Sequence, residues 1–397
     1  MHPAQSGFRK HHSCQTTLTN LTDKWLNNIN NNQFTGVIFA DFAKAFDLID
    51  HELLLRKLAL YNLSENSLAL IRSFLSNRQQ KVVIQNQCSL SKEVKLGVPQ
   101  GSILGPLLFC LYVNDLPLHV STPCELFADD TTSHVSNSCH VNLARSSQNA
   151  VDELLGWGEL NHMALSSLKT KQMIVTTRQK RQNIESTMPK IYIKTEEIEE
   201  VNSHKVLGVI IDNNLSWSNQ LNDIAKLISK KVYQLSQIKH FLDIDMRKIF
   251  FNAHIQSIID YSSTLWDGAS NNSMKQLNCS YKRALKMILL KSSSLTQSDY
   301  KLLDILPLHL KLKYNKAVYM HRVVFGKAPP SIVNLFSTNN KRHNQKLVFP
   351  RPRIDLFKNS LQYSGGSLWN SLPKQLKEIS SEKRFKKAIK DHLMESA

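Results

Sequence analysis

The sequence predicts an α+β fold, and three observations carry that expectation. Short apolar runs rich in Val, Ile and Phe, of strand length, alternate with helical stretches as far as about residue 214. Beyond Ser216 the pattern is almost entirely helical to about Lys291. Turn signals, among them Asn86 and the Asp129-Asp130 pair, join neighbouring strand-like runs closely enough for hairpins, the antiparallel way of building a sheet.

Taken in order, residues 15–32 read as a polar helix and Phe34 to Asp41 as a buried strand. Two helices follow, Asp50 to Tyr61 and Ser64 to Leu75, with Asp50 and Ser64 as N-caps. Lys81-Val82-Val83-Ile84 and Cys88 to Lys95 alternate like a hairpin joined through Asn86, and Ser102 to Val113 is an apolar helix opened by a Gly-Val-Pro-Gln-Gly turn. Glu125 to Ala128 and Thr131 to Val135 form a second hairpin with Asp129-Asp130 at its tip. A long amphipathic helix from about Val141 to His162 leads to a strand at Met173-Ile174-Val175. Arg178 to Asn183 reads as a polar loop. A hairpin around Ile191-Tyr192-Ile193 and a buried strand at Val206 to Ile211 follow, and the tail from Ser292 mixes helices with Pro-rich turns.

At 397 residues with 42% hydrophobic content, the chain is long enough for two or three globular domains. The longest apolar stretch, Ile103 to Val113, is interrupted by Gly105 and Pro106 and is too short to span a bilayer. Residues 1–7 lack the apolar core of a signal peptide. A soluble intracellular protein is expected, with no membrane partner. Six scattered cysteines, with no Cys-x-x-Cys, indicate neither a zinc ribbon nor a disulfide framework. Cys139-His140 with His134 and Cys124, and His11-His12-Ser13-Cys14, fit no usual zinc spacing. The net charge of +18 is unevenly spread: residues 1–178 carry +1 and residues 179–397 carry +17. Basic segments such as Lys226…Lys230-Lys231, Lys282-Arg283…Lys286 and Arg384…Lys387 suit the phosphates of a polyanion. Any one run alone would be a solvated helix face.

Three motifs carry chemistry: Phe39-Ala40-Asp41-Phe42-Ala43-Lys44-Ala45-Phe46-Asp47, Gly97-Val98-Pro99-Gln100-Gly101-Ser102, and Leu126-Phe127-Ala128-Asp129-Asp130-Thr131. Alone, Asp41 reads as a helix N-cap, Asp129-Asp130 as an Asx-type turn and Phe46 as a core ring. Together, two carboxylate sites 88 residues apart can meet only if their strands are neighbours. They then form a hard, oxygen-only pocket for Mg²⁺.

This set, in this order, resembles the palm of a reverse transcriptase, and most closely that of non-LTR (LINE-type, jockey-like) retrotransposons. The resemblance implies a right-hand polymerase palm, an antiparallel sheet with helices on one face, followed by a basic helical thumb and tail. The palm with a remnant of the fingers would occupy residues 1–175, a β-rich primer-grip-like element 176–214, a thumb-like region 215–291 and a basic tail 292–397. Asp41, Asp129 and Asp130 match the metal-binding carboxylates, holding Mg²⁺ (or Mn²⁺). Phe46 matches the steric gate that rejects a 2′-hydroxyl, and Gln100-Gly101 the turn that contacts nucleotide and template. Lys169, in Leu168-Lys169-Thr170, matches a lysine that protonates the leaving pyrophosphate. Asp47 is expected to cap the following helix. Ser166 stands where relatives place Asn, a departure expected to loosen that loop. Lys205 to Asp212, followed by Trp217, resembles the primer grip; Leu306-Pro307…Gly326-Lys327-Ala328-Pro329 and Ser367 to Pro373 extend the likeness to about Leu393.

The implied function is RNA-directed DNA polymerase, with an RNA template, a DNA primer and deoxynucleoside triphosphates as partners, in a cytoplasmic ribonucleoprotein or the nucleus. The alternatives are a catalytically inactive nucleic-acid-binding remnant and an RNA-dependent RNA polymerase; Phe46 and the Phe-Ala-Asp-Asp turn disfavour the latter. The chain begins 40 residues before Asp41, at a point resembling the end of the fingers, and is expected to be a truncated copy. Only Arg9 and Lys10 would then remain to clamp a triphosphate from that side, which predicts weak primer extension.

Overall fold

The computed structural model describes residues 1–183, 189–338 and 346–395. The chain forms two compact units, one of Met1–Ser13 with Gln33–Val201 and the other of Cys14–Asn32 with Asn202–Ala397. The segment Cys14–Asn30 (α1) therefore leaves the first unit and folds with the second.

The first unit runs through β1 (Phe34–Ala40), α2 (His51–Leu60), α3 (Glu65–Leu75), α4 (Leu104–Tyr112), β2 (Cys124–Phe127), β3 (Asp130–Asn137), α5 (His140–Leu160), β4 (Lys171–Val175) and β5 (Glu199–Glu200). Its sheet has the order β5-β4-β1-β3-β2, antiparallel except for the β5–β4 pair. All seven residues of β1 are buried, as the Val-Ile-Phe run requires of a central strand. Ile38 and Ala40, two residues apart and so on one face, join a core with Leu108 and Phe109 of α4 and Leu154 and Trp157 of α5. The chain is α+β, as expected.

Local signals explain most boundaries. Asp50 Oδ1 accepts the amide of Leu53 at 2.9 Å, and Ser64 Oγ that of Ser67 at 3.3 Å, so both N-caps are present. Asp47 does not cap this helix; Asp50, adjacent to the first turn, does. The Asp47 carboxylate instead accepts a hydrogen bond from Gln100 Nε2 at 2.9 Å. The hairpin around Asn86 has two short ladders, Val83–Ile84 with Gln87–Cys88 and Arg78–Gln80 with Lys92–Val94. The predicted loop at 178–183 is a short helix, Arg178–Gln182, because Thr177 caps it through the amide of Lys180.

In the second unit, β6 (Ser203–Val206) and β7 (Val209–Asp212) form a hairpin across Leu207-Gly208, both at positive φ as a tight two-residue turn requires. The Asp212 carboxylate collects the amides of Asn214, Ser216 and Trp217 and so launches α6 (Ser218–Ile238). That helix packs on α7 (Asn271–Leu289), Leu221, Ile224, Ile228 and Leu235 being buried on one side and Leu277, Tyr281, Leu285 and Ile288 on the other. A further core joins α8 (Leu308–Val324) and α9 (Glu382–Glu395) around Met320, Trp369 and Phe385. Polar in composition, α1 is nonetheless buried at Thr16, Thr17, Asn20, Thr22 and Asp23. Asp23 accepts the amides of Leu361 and Gln362, each at 2.8 Å, and burial raises its carboxyl to about 6. Among the described residues, no helix is long and apolar enough to cross a membrane.

Charge divides along the same line. The first unit carries equal numbers of acidic and basic side chains, and the whole +18 belongs to the second. Exposed Lys226 and Lys230 on α6, and Lys282 and Arg283 on α7, have no carboxylate partner among the described residues.

The Asp50 cap gives a test of local energetics. The Leu53 amide, and after it His162, hold the Asp50 carboxyl below its ordinary value. A depressed carboxylate stabilises the fold above its unfolded pKa and loses that contribution as pH falls through the folded one. Asp50→Ala should therefore cost about 1 kcal/mol at pH 7, measured by urea unfolding, and the difference from wild type should shrink at strongly acid pH.

Candidate active site

The site is assembled by strand register. β1 pairs with β3 so that Ala40 lies opposite Thr131, and β2 pairs with β3 so that Phe127 lies opposite Asp130. Continued by one residue, that register brings Asp41 opposite Asp130, next to the Ala128-Asp129 turn that closes the second hairpin. Asp130 experiences both neighbours: loss of hydration, then repulsion from Asp129 and from Asp41, raises its carboxyl.

A loop after α5 is clipped to Asp41 by its backbone. The amide of Asp41 donates to Thr170 Oγ1 at 3.3 Å, and its carbonyl accepts the amide of Ser166 at 2.9 Å. Ser166 further accepts the amides of Thr170, at its carbonyl, and of Lys169, at its hydroxyl, so the loop is held with Ser rather than Asn at this position. Lys169 Nζ consequently stands 3.6 Å from Asp41 Oδ1 while remaining exposed.

Phe46 is half-buried, and its ring stacks on Phe109 of α4 with centroids 4.1 Å apart and planes at 18°. The turn before α4 is stitched to the same stretch: the amide of Gly97 donates to Ile49 O at 2.8 Å and that of Val98 to Phe46 O at 3.0 Å. The exposed Gln100 is tethered through Asp47. Gly101 has φ of 83° with open space where a Cβ would stand, so backbone conformation, not crowding, demands glycine here. Ser102 Oγ accepts the amide of Gly105 and starts the helix.

Asp130 thus lies within electrostatic reach of Asp129 and Asp41, and Lys169 reaches Asp41. Phe46 is linked to Gln100-Gly101 through the Val98 and Asp47 contacts. Arg9 does not stand free as a clamp, because its guanidinium is spent on the carbonyls of His2 and Gln5 at 3.0 and 2.8 Å. Thr170 and Asp47 were not legible as positioning groups. A Thr directly after a candidate lysine was the available signal for the first; the second was read only as a helix cap.

As a donor set the three aspartates suit a hard divalent cation: oxygen only, mutually repelling, and in need of neutralisation. Among the described residues no three His, Cys, Asp or Glu groups form a ready-made metal cage. A cation would have to draw the carboxylates together.

Residues 1–211 match the reverse transcriptase (RNA-dependent DNA polymerase) family. The probable RNA-directed DNA polymerase from transposon X-element of Drosophila melanogaster is 26% identical over 292 residues, 72% of this chain and 31% of that protein. The RNA-directed DNA polymerase from mobile element jockey of the same species is 22% identical over 295 residues, again 72% of this chain and 31% of the relative. The chain thus spans about a third of the length of these relatives. A structure of telomerase from Candida albicans overlays 80% of this chain and 49% of its own at 12% identity and a TM-score of 0.37, too loosely to bear on the argument.

The crowding of carboxylates has a thermodynamic consequence. A carboxyl whose folded pKa is raised destabilises the metal-free protein when ionised, and that penalty is absent once pH falls below the folded value. Asp130→Asn should therefore raise the melting temperature in EDTA at pH 8, and the gain should fade toward pH 4. Equal melting temperatures at pH 8 would show that Asp130 is not under repulsion.

Proposed function

Since the chain belongs to the reverse transcriptase family, we propose that it acts as an RNA-directed DNA polymerase of a non-LTR retrotransposon, adding deoxynucleotides to a primer 3′-hydroxyl. The observation that carries this reading is the register of Ala40 against Thr131, which supports a common site for Asp41, Asp129 and Asp130. These residues would hold Mg²⁺ (or Mn²⁺), which when bound neutralises triphosphate charge and acidifies the attacking hydroxyl.

The chain's own side chains supply the rest. Phe46, backed by Phe109, cannot recoil from a sugar and so excludes a 2′-hydroxyl. Gln100 presents its amide beside the backbone of Gly101, where a nucleotide or template base can approach without meeting a Cβ. Lys169, beside Asp41, is placed to hold a proton for the departing diphosphate. The unpaired cations of α6 and α7 would follow the phosphates of a template–primer duplex.

The assay is primer extension on an RNA template, run on this chain and on the X-element relative with its matched region replaced by this chain. Asp129→Ala should abolish deoxynucleotide incorporation in whichever protein is active. No incorporation by either protein would end this reading in favour of a nucleic-acid-binding remnant, and incorporation indifferent to Asp129→Ala would remove the metal site on which it rests. Phe46→Ala should raise incorporation of ribonucleotides relative to deoxynucleotides by roughly ten- to a hundredfold; an unchanged ratio would remove Phe46 from the sugar site.

A second expectation concerns the basic unit. Changing Lys226, Lys230, Lys282 and Arg283 together to Gln should lower the slope of log affinity against log salt for an RNA–DNA duplex by about one per lost phosphate contact. An unchanged slope would make these helices ordinary solvated faces.

A further inference from the structure

Gln5 is a polar residue with no exposed surface, in a stretch, Gln5-Ser6-Gly7-Phe8-Arg9, that no step above uses. Its side-chain Oε1 accepts the amides of Gly7 at 2.7 Å and of Ala128 at 3.0 Å, while its Nε2 donates to the carbonyl of Ala128 at 3.4 Å. Both backbone polar groups of Ala128 are thus taken by one side-chain amide 123 residues away in sequence.

The flanking backbone reinforces the grip. Ser6 donates its amide to Leu126 O at 2.7 Å, and Leu126 donates to Ala4 O at 2.9 Å, so residues 4–6 run beside β2 like a further strand. Gly7 approaches the turn so closely that a Cβ there would stand 2.4 Å from the nitrogen of Ala128. Ala128 itself has φ of 56°, a left-handed conformation that a residue with a Cβ adopts only when its surroundings impose it. Asp129, the next residue, is exposed, and the one hydrogen bond on it among the described residues is at its own carbonyl, which accepts from Thr131 Oγ1 at 3.5 Å. Its direction is therefore set from behind, by Ala128.

We infer that Gln5 is a positioning residue: its amide holds Ala128 in the left-handed conformation that precedes Asp129, and so sets the affinity of Asp41, Asp129 and Asp130 for a divalent cation. The inference rests on the metal-site reading of Asp41, Asp129 and Asp130. Gln5 touches neither the cation nor a substrate, and acts only through the turn, as outer-shell partners of metal ligands do.

The test is a Mn²⁺ titration of the full chain, followed by electron paramagnetic resonance of the free ion, with melting temperatures measured alongside. Gln5→Met, which leaves the amides of Gly7 and Ala128 unpaired, should weaken Mn²⁺ binding about tenfold or more. Gln5→Glu, which still accepts both amides, should recover most of that loss. Leu154→Ala, a cavity in the core of the same unit, should lower the melting temperature without weakening Mn²⁺ binding. If Gln5→Met fails to fold, Gly7→Ala, which pushes on Ala128 from the other side with Gln5 intact, should weaken Mn²⁺ binding in the same way. Wild-type affinity in Gln5→Met or Gly7→Ala would overturn the inference while leaving the polymerase reading intact. Wild-type affinity in Asp129→Ala would remove the metal site itself, and the inference with it.

Discussion

The register of β1 is the constraint on which the site depends. This strand pairs with β3 on one side and β4 on the other, Ala40 opposite Thr131 and Phe39 opposite Lys171. Because side chains alternate across a sheet, a slip of one residue would turn Ile38 and Ala40 out of the core and carry Asp41 to the opposite face. The burial of β1 and the packing of α4 and α5 against Ile38 and Ala40 are therefore also what sets Asp41 against the second hairpin. Thr170 and Ser166 then tie the backbone of Asp41 to the loop bearing Lys169. Core packing and site geometry are one arrangement here.

The division of charge follows a comparable logic. The unit that contains Asp41, Asp129 and Asp130 is electrically neutral, and the helical unit carries the whole excess of +18. Self-repulsion in such a unit opposes compaction. Part of it is offset internally, as where Lys316 pairs with Asp267 at 2.6 Å and lies near Asp23. Removing one member of that group would strand a buried charge, so these residues hold the unit's interior, whereas Lys226, Lys230, Lys282 and Arg283 are exposed with no carboxylate partner among the described residues.

Much of this was legible beforehand. Strands betrayed themselves by Val, Ile and Phe runs, and the α2 and α3 starts by Asp50 and Ser64. The hairpin bearing Asp129 and the turn bearing Gln100 were readable from local composition, because turn and cap chemistry act over a few residues. What escaped depended on partners distant in the chain. The sequence showed α1 only as a polar helix, whereas Thr16, Thr17, Asn20, Thr22 and Asp23 are buried, Asp23 against amides more than 330 residues away. Asp47 lost the capping role to Asp50 and took Gln100 instead, and Arg9 was absorbed by two carbonyls, neither outcome having a local signature. Gln5 lies where the chain resembles the end of the fingers, but only the fold reveals that its amide pairs with both backbone groups of Ala128.

The most direct measurement replaces the divalent ion with Fe²⁺ and maps backbone cleavage by the hydroxyl radicals it generates with peroxide and ascorbate. A cation shared by the carboxylates should cut the chain at two places at once, next to Asp41 and next to Asp129-Asp130, with excess Mg²⁺ suppressing both cuts together. Cleavage at only one of them, or at neither, would contradict a common site built by the register of β1 against β3.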